Sequence, residues 1–195
     1  MKRYIRAAVN DLSNESEEFL FELALDPHTD SRTLSQLIDC TGPGDSAFYH
    51  ALQNPNTPVD ILEEQSYSGN ERTRECVASN RSTPVDVLRR LAKDNSYFVK
   101  MYIQINPSTP LDVLQELMNS DYRQDYEYIL QNPSATEDML RELIQRLPSE
   151  LGRIARNPNA PVDILRQIAR HKNNMFGAQA RKNLKARGYS VEEFE

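Results

Sequence analysis

Tryptophan is absent from this 195-residue sequence, glycine occurs 6 times and cysteine twice. So little glycine disfavours architectures built on tight β-turns, which draw on its left-handed backbone. Cys40 and Cys76 form no Cys-x-x-Cys pair and have no histidine at ligand spacing. They supply neither a disulfide framework nor a zinc site and read as free thiols of a reducing compartment. No apolar run is long enough to span a bilayer, and the basic start meets Asn10 and Asp11 before any apolar segment. The expectation is a cytoplasmic chain with no signal peptide and no membrane association. No Walker loop, Gly-x-Gly-x-x-Gly, His-Glu-x-x-His or Gly-x-Ser-x-Gly occurs, so no cofactor, metal or catalytic residue is expected and the chain does not read as an enzyme.

Composition bounds the shape. Hydrophobic residues make up 38% and charged residues 27%, a balance that suits an elongated protein with a high surface-to-volume ratio. The net charge of −6 argues against wholesale binding of nucleic acid or anionic membrane. The charge is unevenly spread: residues 1–65 carry 4 basic and 12 acidic groups, whereas residues 150–195 carry 9 and 5.

Proline is frequent, at 11 residues, and its placement organises the chain. Asn54-Pro55, Asn80-Arg81, Asn106-Pro107, Asn132-Pro133 and Asn157-Pro158 recur every 25–26 residues, with Asp26-Pro27 and Asn183 as weaker terminal copies. The segments from each Asn read NPNTPVDIL, NRSTPVDVL, NPSTPLDVL, NPSATEDML and NPNAPVDIL. Thr57, Thr83 and Thr109 stand where a helix N-cap belongs, with Pro58, Pro84 and Pro110 at the first helical position. Asp60, Asp86, Asp112, Asp138 and Asp163 fall in the first turn and complement the helix dipole; stacked units hold them about 10 Å apart, too far to share a metal. The recurring Asn reads as a buried residue bonding the backbone of its own turn.

After each Asn the apolar residues follow helical spacing, as in Val87/Leu88/Leu91/Ala92 and Val113/Leu114/Leu117/Met118. A polar stretch follows, then a second short helix with a regular apolar position three before the next Asn: Leu23, Ala51, Val77, Ile103, Ile129, Ile154 and Ala180. One such unit buries too few groups, at about 1.5–3 kcal/mol each, to offset the entropy of ordering 26 residues, so units must stack. The expected fold is all-α, a right-handed α-solenoid of two-helix repeats forming one domain. Residues 1–53 are its degenerate N-terminal repeats, 54–183 its regular repeats and 184–195 its C-terminal cap.

The Asn-Pro-x-x-Pro-x-x-x-Leu frame, recurring five times across about residues 20–183, resembles the variant leucine-rich repeat, an α-solenoid similar to HEAT and armadillo arrays. The resemblance implies an interaction scaffold. Some members carry an N-terminal Cys-rich iron–sulfur segment; Cys40 alone does not match it, and the cofactor is not carried over. The repeats here are slightly longer than that family's, which leaves the second segment open between a full α-helix and a 3₁₀ turn.

Two surfaces stand out. Most second helices keep one face polar (Arg72/Glu75/Ser79; Gln124/Glu127/Gln131), but the middle one reads Phe98/Met101/Ile105, with Tyr97 and Tyr102 beside them and Tyr122, Tyr126 and Tyr128 in the next unit. Those eight residues form the expected anchor for a protein or peptide partner; the plainer reading rotates the helix and buries them in the core. The alternative surface is basic: Arg153, Arg156, Arg170, Lys172, Arg181 and Lys182 belong to a stretch that, between residues 151 and 190, contains Asp163 as its one acid. Such residues would suit nucleic acid, or pairing with the acidic N-terminal end.

Overall fold

The computed structural model describes residues 12–120, 126–171 and 174–194, and every regular element among them is helical. The chain divides into two compact units, Met1–Ser108 and Thr109–Glu195. The first contains α1 (Glu17–Leu25), α2 (Ser31–Cys40), α3 (Ser46–Gln53), α4 (Val59–Gln65), α5 (Glu71–Ser79), α6 (Val85–Leu91) and α7 (Tyr97–Ile105). The second contains α8 (Leu111–Met118), α9 (Glu137–Arg146), α10 (Val162–Ala169) and α11 (Met175–Ala186), with 3₁₀ segments at Ile129–Gln131, Pro148–Arg156 and Glu192–Phe194.

The helices that end at the recurring Asn or Asp stack in chain order. In the first unit α1 packs on α3, α3 on α5 and α5 on α7. In the second, the segment Ile129–Gln131 packs on Pro148–Arg156, which packs on α11. All seven residues three before the Asn or Asp are buried, as are Val87, Leu88, Leu91 and Ala92. The second segments are not uniform: α5, α7 and α11 are α-helical, whereas Pro148–Arg156 is 3₁₀. There α9 runs to 10 residues and the repeat is one residue shorter.

The asparagines do more than close their own turns. Asn80 accepts from the Ser82 N–H at 2.8 Å, but its amide donates to the carbonyls of Leu52 at 2.7 Å and Asn54 at 2.8 Å, one repeat back. Asn54 donates in the same way to Ala24 and Asp26, and Asn106 to Ala78 and Asn80. In the second unit Asn157 donates to Leu130 and Asn132, and Asn183 to Ala155 and Asn157. A second rail runs two residues later, where Asn56, Ser82, Ser108 and Asn159 donate to backbone carbonyls of the preceding repeat. Asp26 keeps the accepting half of the pattern, taking the His28 N–H at 2.9 Å, but its carboxylate has no N–H to give.

The threonines correct the capping expectation. Pro58, Pro84, Pro110 and Pro161 are themselves the N-caps: no side chain caps α4, α6, α8 or α10. Their carbonyls accept the first helical bonds, from Leu62, Leu88, Leu114 and Leu165. The buried Thr83 hydroxyl points backwards and donates to the Val77 carbonyl at 2.5 Å; Thr29 does the same to Leu23 at 2.7 Å, and Thr57 bonds the Ala51 carbonyl. A last-turn carbonyl has no intrahelical donor, and the hydroxyl supplies one. Side-chain caps sit on the second helices α5, α7 and α11, through Asn70, Ser96 and Asn174, and on the first helices that lack the second proline, α2 through Asp30 and α9 through Thr136. Thr83→Val, close in shape, should therefore cost about 1 kcal/mol in urea denaturation, and Thr83→Ser much less. Equal losses from the two would assign the effect to packing.

Candidate functional site

Helix α7 presents an apolar stripe. Val99 and Ile103 turn inward and are buried, while Phe98, Met101, Tyr102 and Ile105 recur at i, i+3, i+4 and i+7 along another face. Phe98 is 51% exposed, and Tyr97, Met101, Tyr102 and Ile105 are half-buried. The Tyr97 and Phe98 rings meet edge to face with centroids 5.3 Å apart. On α5 the matching positions hold an exposed Arg72 and a Glu75 that pairs with it at 3.2 Å.

The start of α7 is fixed by charge. Arg74 of α5 grips Asp94 with Nε at 2.7 Å and a second nitrogen at 3.2 Å, and reaches the Ser68 carbonyl at 2.8 Å. Asp94 accepts from the Ser96 N–H, and the Ser96 hydroxyl caps α7 through Val99. Burial opposes ionisation of Asp94, but the Arg74 bond and the Ser96 N–H outweigh it and hold the carboxyl below its ordinary range. The same bond raises Arg74.

The described tyrosines of the second unit each carry an arginine. Tyr126 is 7% exposed, with the Arg146 guanidinium 3.9 Å above its ring. Tyr128 is half-buried and carries Arg153 at 4.8 Å. These rings are platforms for arginines of their own unit. Tyr122 lies outside the described residues.

The basic residues separate into two groups. Arg153 is held by Glu150 at 2.6 Å, and Arg181 donates to the Ala169 carbonyl at 2.7 Å, at the end of α10. Arg156, Arg170 and Lys182 are exposed, and Lys172 lies outside the described residues. Arg170 shares an open groove of about 770 Å³ with Arg141, Arg166, Arg187, Tyr189, Val162, Gln167, Glu137 and Asp163. Arg141 bridges Asp163 and Glu137, each at 2.8 Å; the two carboxylates raise it, and Arg141 holds Asp163 below its ordinary range.

The groove's Tyr189 wall was not foreseen, although a signal existed. Gly188 follows α11 with φ +82°; its N–H bonds the Lys185 carbonyl, and the Tyr189 N–H bonds Leu184. This left-handed glycine cap reverses the chain and carries Tyr189 back. The ring then lies 6.0 Å from the Arg166 guanidinium and 5.7 Å from that of Arg187.

Burial pushes the Cys76 thiol up to about 11, against the thiolate a nucleophile needs. His50 packs edge-on against Phe21, and His28 and His171 are exposed. Among the described residues no three His, Cys, Asp or Glu side chains converge as a metal site, and no helix is long and apolar enough to cross a membrane. Comparison with protein-family models, curated proteins and solved structures gave no match.

Proposed function

We propose that the chain is a non-enzymatic α-solenoid scaffold, of the variant leucine-rich repeat type, that binds a protein or peptide through α7. The observation that carries the reading is the stripe Phe98/Met101/Tyr102/Ile105, with Phe98 half in water on a helix whose other face is fully buried. An aromatic left exposed beside half-buried apolar neighbours is the composition of an interface anchor. The solenoid reading is supported within each unit by rungs of asparagine donating to the previous repeat. Such rungs couple each repeat to its neighbours, the requirement of a one-dimensional stack.

The test is the double variant Phe98→Ser/Met101→Ser. Its thermal midpoint should stay within a few degrees of wild type, because Phe98 keeps half its surface in water and Met101 is outside the buried core. Affinity for a partner captured by the wild-type protein, identified and then purified, should fall about tenfold or more, with little dependence on salt. Unchanged affinity in a folded double variant would remove α7 as the anchor. A collapse in stability would place the stripe in the core.

A further inference from the structure

We infer that the groove of the second unit, between α10 and the fold-back at Gly188, is a docking site for an extended acidic peptide. Arg166 on α10 and Arg170 at its C-cap stand one turn apart, and both are exposed. One helical turn advances about 5.4 Å, close to the ~6.6 Å between alternate residues of an extended chain. Carboxylates at every second position can therefore meet the two guanidiniums in succession, each in the bidentate geometry that makes arginine the preferred partner of a carboxylate. Tyr189 is 39% exposed and lies against both Arg166 and Arg187, so it limits their rotamers. Arg187 is tethered further by its bond to the Ala160 carbonyl. Restrained arginines lose less entropy on binding than solvated ones.

Charge favours a peptide over nucleic acid. Glu137 and Asp163 stand in the same groove, and Arg141 between them neutralises only one of the two. A phosphate chain running the length of the groove would meet that acidic end, whereas a peptide need be acidic only beside Arg166, Arg170 and Arg187. Val162 and Gln167 add an apolar contact and an amide able to bond peptide backbone. This proposal is independent of the α7 reading, because the two share no residue.

The experiment is fluorescence anisotropy on the full chain with a labelled peptide of alternating Glu and Ser. A neutral Gln-Ser peptide and a single-stranded oligonucleotide of equal charge are the controls. The acidic peptide should bind saturably, more weakly as salt rises, and the neutral one should not. Arg166→Glu/Arg170→Glu should weaken binding about tenfold or more. The gentler Arg166→Gln/Arg170→Gln should show a smaller loss in the same direction, with the circular dichroism spectrum unchanged for both. Phe98→Ser/Met101→Ser should leave the peptide affinity intact, which separates this site from the α7 surface. No saturable binding, or binding indifferent to the arginine changes, overturns the proposal. Tighter binding of the oligonucleotide, lost with the same arginines, overturns it in favour of nucleic acid.

Discussion

Asn80→Ala is expected to destabilise the protein by about 3 kcal/mol or more, measured by urea denaturation. The side chain is 1% exposed and makes three hydrogen bonds, giving two to carbonyls of the previous repeat and taking one from the Ser82 N–H. Alanine leaves those groups buried and short of partners, and each such loss costs about 1–3 kcal/mol. The Leu52 carbonyl is the more exposed to this loss, since it sits in the last turn of α3; the Asn54 carbonyl keeps bonds from Thr57. Asn80→Asp is a sharper test, because it is nearly isosteric. It turns two donors into acceptors facing two carbonyl oxygens, so a buried carboxylate there must take up a proton. Its folded-state pKa would rise above the unfolded value of about 3.9, and the folded state would bind more protons. Its deficit should therefore be larger at pH 7 than at pH 4, whereas the alanine deficit should barely change. A loss under 1 kcal/mol in both variants would refute the rung as a stabilising element.

That ladder marks the boundary of what the sequence discloses. Spacing alone locates the helices and their buried stripe: the apolar residue three before each Asn or Asp is buried in all seven copies, from Leu23 to Ala180. Periodicity suffices there because burial is decided by which face of a local helix a residue occupies. The partner of a polar side chain is decided elsewhere. Asn80 bonds Leu52, 28 residues away, and nothing in the local pattern separates that from a bond within its own turn. Thr83 has the sequence context of an N-cap, yet its hydroxyl donates to Val77 behind it. The same limit applies at the candidate sites. The stripe of α7 is local, and its i, i+3, i+4, i+7 spacing can be read from the chain. Whether Tyr126 faces water depends on Arg146, 20 residues on, which lies over its ring. The groove needed α9, α10 and a single glycine after α11 to assemble, and of its arginines Arg141 lay outside the expected basic stretch. Arg166 and Arg187 looked like members of a general basic stretch until the reversal at Gly188 brought both to Tyr189.

Leu88→Ala should cost about 2–5 kcal/mol, the loss of a buried leucine's transfer energy plus the cavity left behind. Leu88 is fully buried on α6, which packs against both α5 and α7. Where in that range the loss falls depends on whether the neighbours can close the gap. Three features resist closure. The Arg74–Asp94 pair holds the segment after α6 against α5. The Asn106 amide binds the last carbonyls of the α5 repeat. The Thr83 hydroxyl ties the residue before Pro84 to the end of α5. With both ends of α6 anchored, relaxation is small and the cost should lie in the upper half of the range. Val85→Ala on the same helix is the control: Val85 is 47% exposed, and its loss should stay within about 0.5 kcal/mol. Adding Thr83→Val to Leu88→Ala then tests the anchoring itself. If the tether keeps α6 from collapsing into the cavity, the double variant should lose less than the sum of the two single losses, because releasing the end of α6 lets the cavity shrink. Strict additivity would show that the rung and the core act independently, and that α6 is held by its apolar face alone.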